Sequence, residues 1–209
     1  MDLAWPELAR LLGPNGTAEL TGDLPDPPAG WTVTSRLEGV QMVAERLRGQ
    51  PTEPGSRREG ATSSPPRQTA PETSAVKTVA PSPVPLDAAN VPEMMALVKV
   101  AQPGPFEART IEFGGYLGIR IDGDLVAMAG ERLRPPGYTE ISAVATHPDY
   151  RRRGLARQVV LSVADNIIRR GDTPILHALL RNPGAIDLYE SLGFTARRPM
   201  TFQCLEAPG

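Results

Sequence analysis

The residues with the clearest capacity for chemistry lie in one polar turn, between an apolar segment and a long amphipathic one. The turn and the start of the amphipathic segment read, in order, Arg151, Arg152, Arg153, Gly154, Leu155 and Ala156. A helix that begins at such a glycine offers about four unpaired backbone N–H groups and the positive end of its dipole. Small residues there leave space for a phosphate to reach those groups. Three arginines at a positive helix end are unfavourable unless an anion binds, so the turn predicts an anion site, most naturally for a di- or polyphosphate.

Two common phosphate-binding loops and most metal centres are excluded by the residues that are missing. The turn lacks both the G-x-x-x-x-G-K-[ST] pattern of a P-loop and the G-x-G-x-x-G pattern of a dinucleotide-binding turn. Cys204 is the only cysteine, and the chain has two histidines, so neither an internal disulfide framework nor a protein-built metal centre is expected. His147 and His177 are both expected to be structural.

Two signatures in order resemble those of a known family. Arg151-x-x-Gly154-x-Ala156 matches the R/Q-x-x-G-x-G/A motif of the GNAT superfamily of acyl-CoA-dependent N-acetyltransferases. Further on, the segment from Asn182 to Phe194 resembles the closing signature of the same family, N-x-x-A-x-x-L-Y-x-x-x-G-F. The resemblance covers roughly residues 86–207 and leaves residues 1–85 outside it.

The resemblance implies a site for acetyl-CoA, used as a co-substrate, with no metal. The loop 151–156 would hold its pyrophosphate. The strand before the loop would pair with the pantetheine amides, because the neighbouring strand splays away in the family, and one N–H of this strand would polarise the thioester carbonyl. The strand residues implied are Val144, Ala145 and Thr146. Asn182 would either cap the helix that follows it or contact the cofactor.

Acyl transfer to an amine also needs a proton acceptor for the amine and a proton donor for the leaving thiolate. Tyr189 lies where many family members have the tyrosine that protonates the departing sulfur; alternatively, it is a core aromatic residue. Glu140 lies where histone-type members have a base, and strict alternation along a strand puts it on one face with Ser142 and Val144. It could take the ammonium proton directly or through water, helped if burial raises its pKa. The alternatives are a glutamate that binds substrate or has no role, and a water chain instead of a fixed base.

The elements around these residues predict an α/β fold. Helical spacing of apolar residues predicts helices over 3–12, 86–101, 154–170 and 184–192. Apolar runs and alternation predict strands over 116–121, 125–132, 140–146, 174–179 and 200–205. The strand over 140–146, its helix and the next strand predict a right-handed βαβ unit with parallel strands. With the resemblance, this implies the GNAT acyl-CoA N-acyltransferase fold: a mixed, mostly antiparallel sheet with flanking helices and one parallel βαβ unit.

Composition divides the chain into three parts. Residues 86–207 carry the regular pattern of the N-acetyltransferase-like domain. Residues 50–85 contain eight prolines and no Leu, Ile, Met, Phe, Trp or Tyr, so they are expected to be a disordered Pro-rich linker. Residues 1–49 are too few to fold alone and are expected to pack on the main domain as a small N-terminal segment. Within that segment, 31–34 predicts a short strand and 40–47 a strand or helix.

Charge and hydropathy argue against several classes of partner. Lys and Arg number 22 against 24 Asp and Glu, whereas a nucleic-acid-binding domain normally has a strong basic excess. No window approaches the roughly 18 apolar residues of a membrane-spanning helix. The first residues lack the basic and apolar regions of a signal peptide. Neither nucleic acid nor a membrane is therefore an expected partner, and the expected location is the cytoplasm; a homodimer, common in the family, is left open.

The activity that these observations predict is transfer of an acetyl group from acetyl-CoA to a primary amine by direct attack. The acceptor, a small molecule or a peptide, is left open. The alternative is a non-catalytic acyl-CoA-binding regulatory module with the same fold.

Overall fold

A computed structural model describes residues 4–47 and 81–209 of the chain. Within these ranges eight strands form one sheet, in the order β1-β8-β2-β7-β6-β5-β4-β3, together with four α-helices. The helices are α1 Ala4–Leu12, α2 Val91–Ala101, α3 Leu155–Arg169 and α4 Pro183–Leu192. The strands are β1 Thr17–Gly22, β2 Thr32–Val43, β3 Val84–Pro85, β4 Leu117–Ile121, β5 Asp124–Glu131, β6 Tyr138–Thr146, β7 Thr173–Leu179 and β8 Thr195–Glu206. None of these helices is long and apolar enough to cross a bilayer.

The sheet is mixed, and the predicted fold class is confirmed. β6 and β7 run parallel and are connected through α3. Every other described pair of neighbouring strands is antiparallel. The connection crosses from one parallel strand to the next, so α3 must lie on a face of the sheet, and its first residues lie at the end of β6.

Two helices bury opposite faces of the sheet. Val159, Val163 and Ile167 form a buried stripe on α3, because residues four apart lie on one side of a helix. This stripe packs in one core cluster with Ala127 and Ala129 of β5. Met128 lies between those two alanines and therefore points to the other face, where it packs with Met94 and Leu97 of α2. The middle of the sheet is thus covered on both sides.

The N-terminal segment supplies two strands to the sheet, a closer association than packing on the domain surface. β2 lies between β7 and β8 and is antiparallel to both, and Met42 within it is fully buried. β1 pairs with the other edge of β8. The pieces predicted at 31–34 and 40–47 belong mostly to one strand, β2, and β1 was not predicted.

Most of the predicted linker, residues 50–80, lies outside the described residues. Its last five residues, 81–85, belong to the folded part of the chain. Val84–Pro85 pairs with β4, and the carbonyl of Pro81 accepts a hydrogen bond from Gln158 Nε2 at 3.2 Å. The folded domain therefore begins before residue 86, where the apolar pattern begins.

The helix predicted over 86–101 begins at Val91. Asp87 caps a single 3-10 turn, Ala88–Asn90, which precedes the helix. The Asp87 carboxylate accepts the N–H of Ala89, and the Asn90 side chain accepts the N–H of Asp87, each at 2.9 Å. This reciprocal pair forms a capping box, which fixes the start of the turn and delays the regular helix by a few residues.

Candidate active site

Strand β6 separates from its neighbour β7 about half-way along its length. The two strands are paired from Tyr138 opposite Thr173 to Ile141 opposite Leu176, and they are not paired beyond that point. On its other edge, β6 stays paired with β5 as far as Thr146. The backbone groups of residues 142–146 that face β7 therefore lack a strand partner in the described chain. Backbone N–H and C=O groups need partners when they are buried, so this edge is suited to an extended, amide-bearing ligand.

A β-bulge at Ala143 lies where the strands separate, and it changes which side chains share a face. Ala143 has φ +51°, and the register with β5 shifts around it. Ile141, before the bulge, and Val144, after it, both pack against the α3 cluster. Glu140, next to Ile141 in the regular part of the strand, therefore faces the opposite side. The prediction that Glu140, Ser142 and Val144 share one face is wrong, because the extra residue of a bulge shifts the alternation by one.

Helix α3 begins without a capping side chain. Gly154 is the N-cap, with φ +77°, and the first turn contains no acidic residue. Arg152, two residues earlier, is also left-handed, with φ +61°. Within the described chain, no protein acceptor takes up the backbone N–H groups of residues 152–157. The turn therefore presents the unsatisfied, positive helix end that the sequence predicts.

The space in front of this helix end is open, and the charge around it is positive. A Cβ atom at Gly154 would have no heavy atom within 4 Å. The arginines 151–153 are exposed, and none of them forms a salt bridge in the described part of the chain. The guanidinium carbon of Arg153 lies 4.7 Å from the centre of the Tyr150 ring. These positive charges are available to an anion at the start of α3.

Glu140 is the buried centre of a polar network on the sheet face opposite α3. Its side chain is 2% exposed. Its carboxylate accepts hydrogen bonds from Arg132 Nε at 3.0 Å and Nη2 at 2.8 Å, and it lies 2.8 Å from His177 Nδ1. Burial by itself raises the pKa of Glu140, but the hydrogen bonds from His177 and Arg132 outweigh burial and leave the pKa below its ordinary value. Burial therefore does not raise the pKa in the way that would have helped Glu140 to act as a base, and Glu140 is a charged carboxylate at neutral pH.

His177 joins this network to a strand of the N-terminal segment. Its Nε2 lies 3.0 Å from Nε2 of Gln41 in β2. The Oε1 of Gln41 accepts a hydrogen bond from Arg197 Nη1 at 2.8 Å. Of these four residues, Gln41, Arg132, Arg197 and His177, only His177 stands out in the sequence, where a structural role is expected for it. No spacing along the chain relates these four residues, so only the pairing of strands could have found them.

Tyr189 and Asn182 belong to α4. Tyr189 is 7% exposed, its ring packs edge-on against Phe194 with centroids 6.1 Å apart, and burial raises the pKa of its phenol to about 12. Tyr189 is therefore a core aromatic residue whose hydroxyl also stays protonated at neutral pH. Asn182 caps α4, because its Oδ1 accepts the N–H of Ala185 at 3.3 Å. Capping is one of the two roles that the sequence left open.

The predicted residues lie on both faces of the sheet. Tyr189 and Leu155 lie in the α3 core cluster, against which Val144 also packs, whereas Glu140 lies on the opposite face. The hydroxyl of Thr146 is buried without a partner in the described chain, at the end of the unpaired edge. The arrangement therefore fits a phosphate-bearing ligand that enters at α3 and extends along β6. The described residues contain no group of three or more His, Cys, Asp or Glu that could hold a metal ion.

Comparisons with known proteins find similarity in sequence and in fold. The family model of FR47-like proteins matches residues 116–203. The crystal structure of a candidate acetyltransferase of the GNAT family from Novosphingobium aromaticivorans is 37% identical in sequence to this chain. The alignment covers 97% of this chain and 80% of that one, with a TM-score of 0.76. This similarity extends over the N-terminal strands as well as the predicted domain.

Two further relatives match over shorter stretches. The N-alpha-acetyltransferase RimI of Mycobacterium tuberculosis is 35% identical over 82 residues, which are 38% of this chain and 51% of that protein; the match thus spans about half the length of that relative. The ribosomal-protein-S18-alanine N-acetyltransferase of Escherichia coli is 23% identical, and the alignment covers 61% of this chain and 94% of that one, with a TM-score of 0.50. The second similarity concerns the fold alone.

Proposed function

Because the chain belongs to the GNAT family of acetyltransferases, we propose that it transfers an acetyl group from acetyl-CoA to a primary amine by direct attack. The observation that carries this proposal is the unsatisfied start of α3 beside the unpaired edge of β6. A diphosphate needs donors and positive charge, and an amide-bearing chain needs a free strand edge. Both lie next to each other here. Cys204 lies in β8, a strand that does not border β6, so no acyl-enzyme intermediate is invoked.

The residues proposed to hold acetyl-CoA are those of the turn and of strand β6. The N–H groups of residues 152–157 and the guanidinium groups of 151–153 would bind the pyrophosphate, and Gly154 leaves it room. The unpaired backbone of Val144, Ala145 and Thr146 would bind the pantetheine amides. The buried, unpartnered hydroxyl of Thr146 supports a polar ligand on this edge.

Acetyl-CoA supplies the acetyl group as a thioester that an amine can attack. A backbone N–H of the unpaired part of β6, at Val144 or its neighbour, would donate to the oxygen that gains negative charge. Such a donor is effective because it is already held in place and needs no reorganisation. Burial raises the pKa of Tyr189 to about 12, so its Oη is protonated at neutral pH. This hydroxyl would donate its proton to the departing sulfur.

Glu140 is proposed to receive the attacking amine. Held as a carboxylate by Arg132 and His177, it would attract an ammonium group and accept a hydrogen bond from it. Its lowered pKa makes it a weak base, so the proton would pass on through water rather than stay on the carboxylate. Glu140 thus stays a proposed site residue, but its proposed role is to orient the amine and not to act as the final acceptor of its proton.

The experiment that tests the proposal measures free thiol released from acetyl-CoA in the presence of a panel of primary amines, with mass spectrometry of each amine. The similarity to RimI makes peptides with a free α-amino group the first class to include, followed by lysine side chains, polyamines, amino acids and amine-bearing antibiotics. Equal amounts of thiol and acetylated amine would support the proposal. Binding of acetyl-CoA in calorimetry without consumption of any amine would favour the alternative, a non-catalytic acyl-CoA-binding regulatory module.

A further inference from the structure

A row of polar side chains that is buried at its centre crosses four strands of the sheet, including β2 of the N-terminal segment, and ends just after a fifth. It runs from Arg197 in β8 through Gln41 in β2, His177 in β7 and Glu140 in β6 to Arg132, which follows β5. We propose that Gln41 is a positioning residue of the acetyl-transfer site, whose amide holds the His177 imidazole as a neutral Nδ1–H donor to Glu140. The kinetic part of this inference rests on the function proposed above.

The direction of the hydrogen bonds is fixed from the Arg197 end of the row. An arginine side chain can only donate, so the Gln41 atom that faces Arg197 at 2.8 Å is the carbonyl oxygen. The amide nitrogen of Gln41 then faces Nε2 of His177 at 3.0 Å. An amide NH₂ group cannot accept, so it must donate to this ring nitrogen. A ring nitrogen that accepts a hydrogen bond carries no proton, and Nε2 of His177 is therefore unprotonated.

The Glu140 end of the row fixes the other ring nitrogen. Nδ1 of His177 lies 2.8 Å from Oε1 of Glu140, and this carboxylate can only accept, so Nδ1 carries the proton. The opposite tautomer would set two donors against each other at Gln41 and two acceptors against each other at Glu140. A doubly protonated ring would suit Glu140 but would oppose the amide of Gln41. Gln41 is therefore the residue that favours the neutral ring over the charged one.

At Gln41 and His177 the row is nearly closed to solvent, so water does not readily replace a lost partner there. Gln41 is 5% exposed, and the His177 side chain is 8% exposed. The ring of Phe202 packs edge-on against His177, with centroids 6.1 Å apart. Buried polar groups without partners are costly, so each contact in the row constrains the next. In the described chain, Tyr116 and Glu19 also interact with members of the row, and the Tyr138 ring lies 5.6 Å from the guanidinium carbon of Arg197.

The N-terminal segment thereby takes part in the site although it carries none of the recognised motifs. β2 is paired with β7 so that Gln41 lies directly opposite His177. Without the amide, the ring of His177 is free to rotate or to take up a second proton. Glu140 then loses the fixed hydrogen bond from the neutral His177 ring, and the orientation of the carboxylate that would receive the amine changes.

The protonation state of His177 is measured by NMR on the full chain labelled with ¹⁵N-histidine. Two histidines give two sets of ring signals, which a His147→Asn variant assigns. His147 is an internal control of the opposite kind, because its Nδ1 accepts the N–H of Asp149 at 3.3 Å and its neutral form carries the proton on Nε2. At about pH 7.5, where a neutral imidazole is accessible, His177 is expected to be protonated on Nδ1 only. A proton on Nε2 of His177 overturns the proposal without any variant.

Gln41→Glu reverses the polarity of the contact at nearly constant size. A carboxylate accepts from Nε2, so His177 is expected to be protonated on both nitrogens, and an unchanged spectrum contradicts the proposal. Gln203→Glu is the matched control, because Gln203 is a fully buried glutamine of β8 that accepts from Arg36 at 3.4 Å instead of contacting a histidine. It is expected to leave the His177 signals unchanged. The same change in both variants would mean that added charge, not the contact, is responsible.

Gln41→Leu tests the kinetic consequence. Loss of the amide donor is expected to lower kcat about tenfold and to leave the Kd for acetyl-CoA unchanged, because the proposed cofactor residues lie in β6 and at the start of α3. An unchanged kcat would reduce the row to a role in folding and overturn the positioning role. Failure of the proposed function has a separate signature: the wild type would consume no amine, whereas His177 would still show a proton on Nδ1 only.

Discussion

Replacing Gly154 by glutamate adds a negative charge at the point where the proposed site receives a diphosphate. Gly154 has φ +77°, and a Cβ atom there meets nothing within 4 Å, so the first atom of the new side chain displaces no neighbour. A residue with a Cβ in the left-handed region costs about 1–2 kcal/mol. This is a modest part of the roughly 5–15 kcal/mol by which domains are stable. The variant is therefore expected to fold, and its effect is expected in binding.

The expected loss of binding follows from two contributions of the same sign. Two like unit charges about 4 Å apart repel by about 1 kcal/mol in bulk water and about 4 kcal/mol at the effective dielectric near a protein surface. The carboxylate can also occupy the free N–H groups of residues 152–157, a contact of about 0.3–1 kcal/mol that the ligand must displace. A total of about 3 kcal/mol corresponds to a rise in Kd of about 10²-fold.

The assay is isothermal calorimetry of acetyl-CoA with the full chain, after thermal unfolding has shown that each variant is folded. Gly171→Glu is the matched control, because Gly171 lies just beyond the other end of α3, with φ +89° and open space at its Cβ position. The control carries a similar strain and the same charge, and its Kd is expected to stay within about threefold of the wild type, or ~0.6 kcal/mol. If Gly154→Glu binds acetyl-CoA as well as Gly171→Glu does, the diphosphate does not bind at the start of α3.

Three further changes test the other assignments. Tyr189→Phe keeps the buried ring and removes its proton, so kcat is expected to fall about 10²-fold at unchanged Kd for acetyl-CoA, in steady-state kinetics and calorimetry. Folding lowers the pKa of Glu140, so its carboxylate stabilises the fold above the ordinary pKa of about 4.3. In urea unfolding, the advantage of the wild type over Glu140→Gln is therefore expected to shrink as the pH falls from about 5 to 3. Deletion of residues 1–80 removes β2 from between β7 and β8, together with the buried Met42. Loss of the Met42 side chain alone lowers the free energy of unfolding by about 2–5 kcal/mol. The cooperative thermal transition of the deletion variant is therefore expected to disappear.

Each of these predictions has a contrary result. An unchanged kcat in Tyr189→Phe would assign the phenol to packing alone. A stability difference between the wild type and Glu140→Gln that is independent of pH would mean that folding does not lower the pKa of this carboxyl. A deletion variant that unfolds cooperatively at the temperature of the full chain would mean that β2 contributes nothing to the stability of the sheet.

Residues 86–207 were largely predictable, because their elements carry strong local patterns. The apolar stripe of α3 repeats every three to four residues over its whole length, and glycines follow both α3 and α4. The N-terminal strands were harder to predict. β1 contains no fully buried residue, and the first half of β2 is exposed, so alternation of apolar and polar residues is weak there. Their partner β8 lies far along the chain, and no local signal announces such a pairing.

The features that predict an anion site at the start of α3 follow from the sequence alone. The start of α3 combines a left-handed glycine, a missing capping side chain and adjacent arginines. These are properties of consecutive residues, so they do not depend on strand order or register. The state of Glu140 was decided only by the tertiary structure, whose hydrogen bonds lower its pKa although the residue is buried. Its partners Arg132 and His177, and Gln41 behind His177, come from separate strands. Contacts across a sheet depend on strand order and register, which spacing along the chain does not encode.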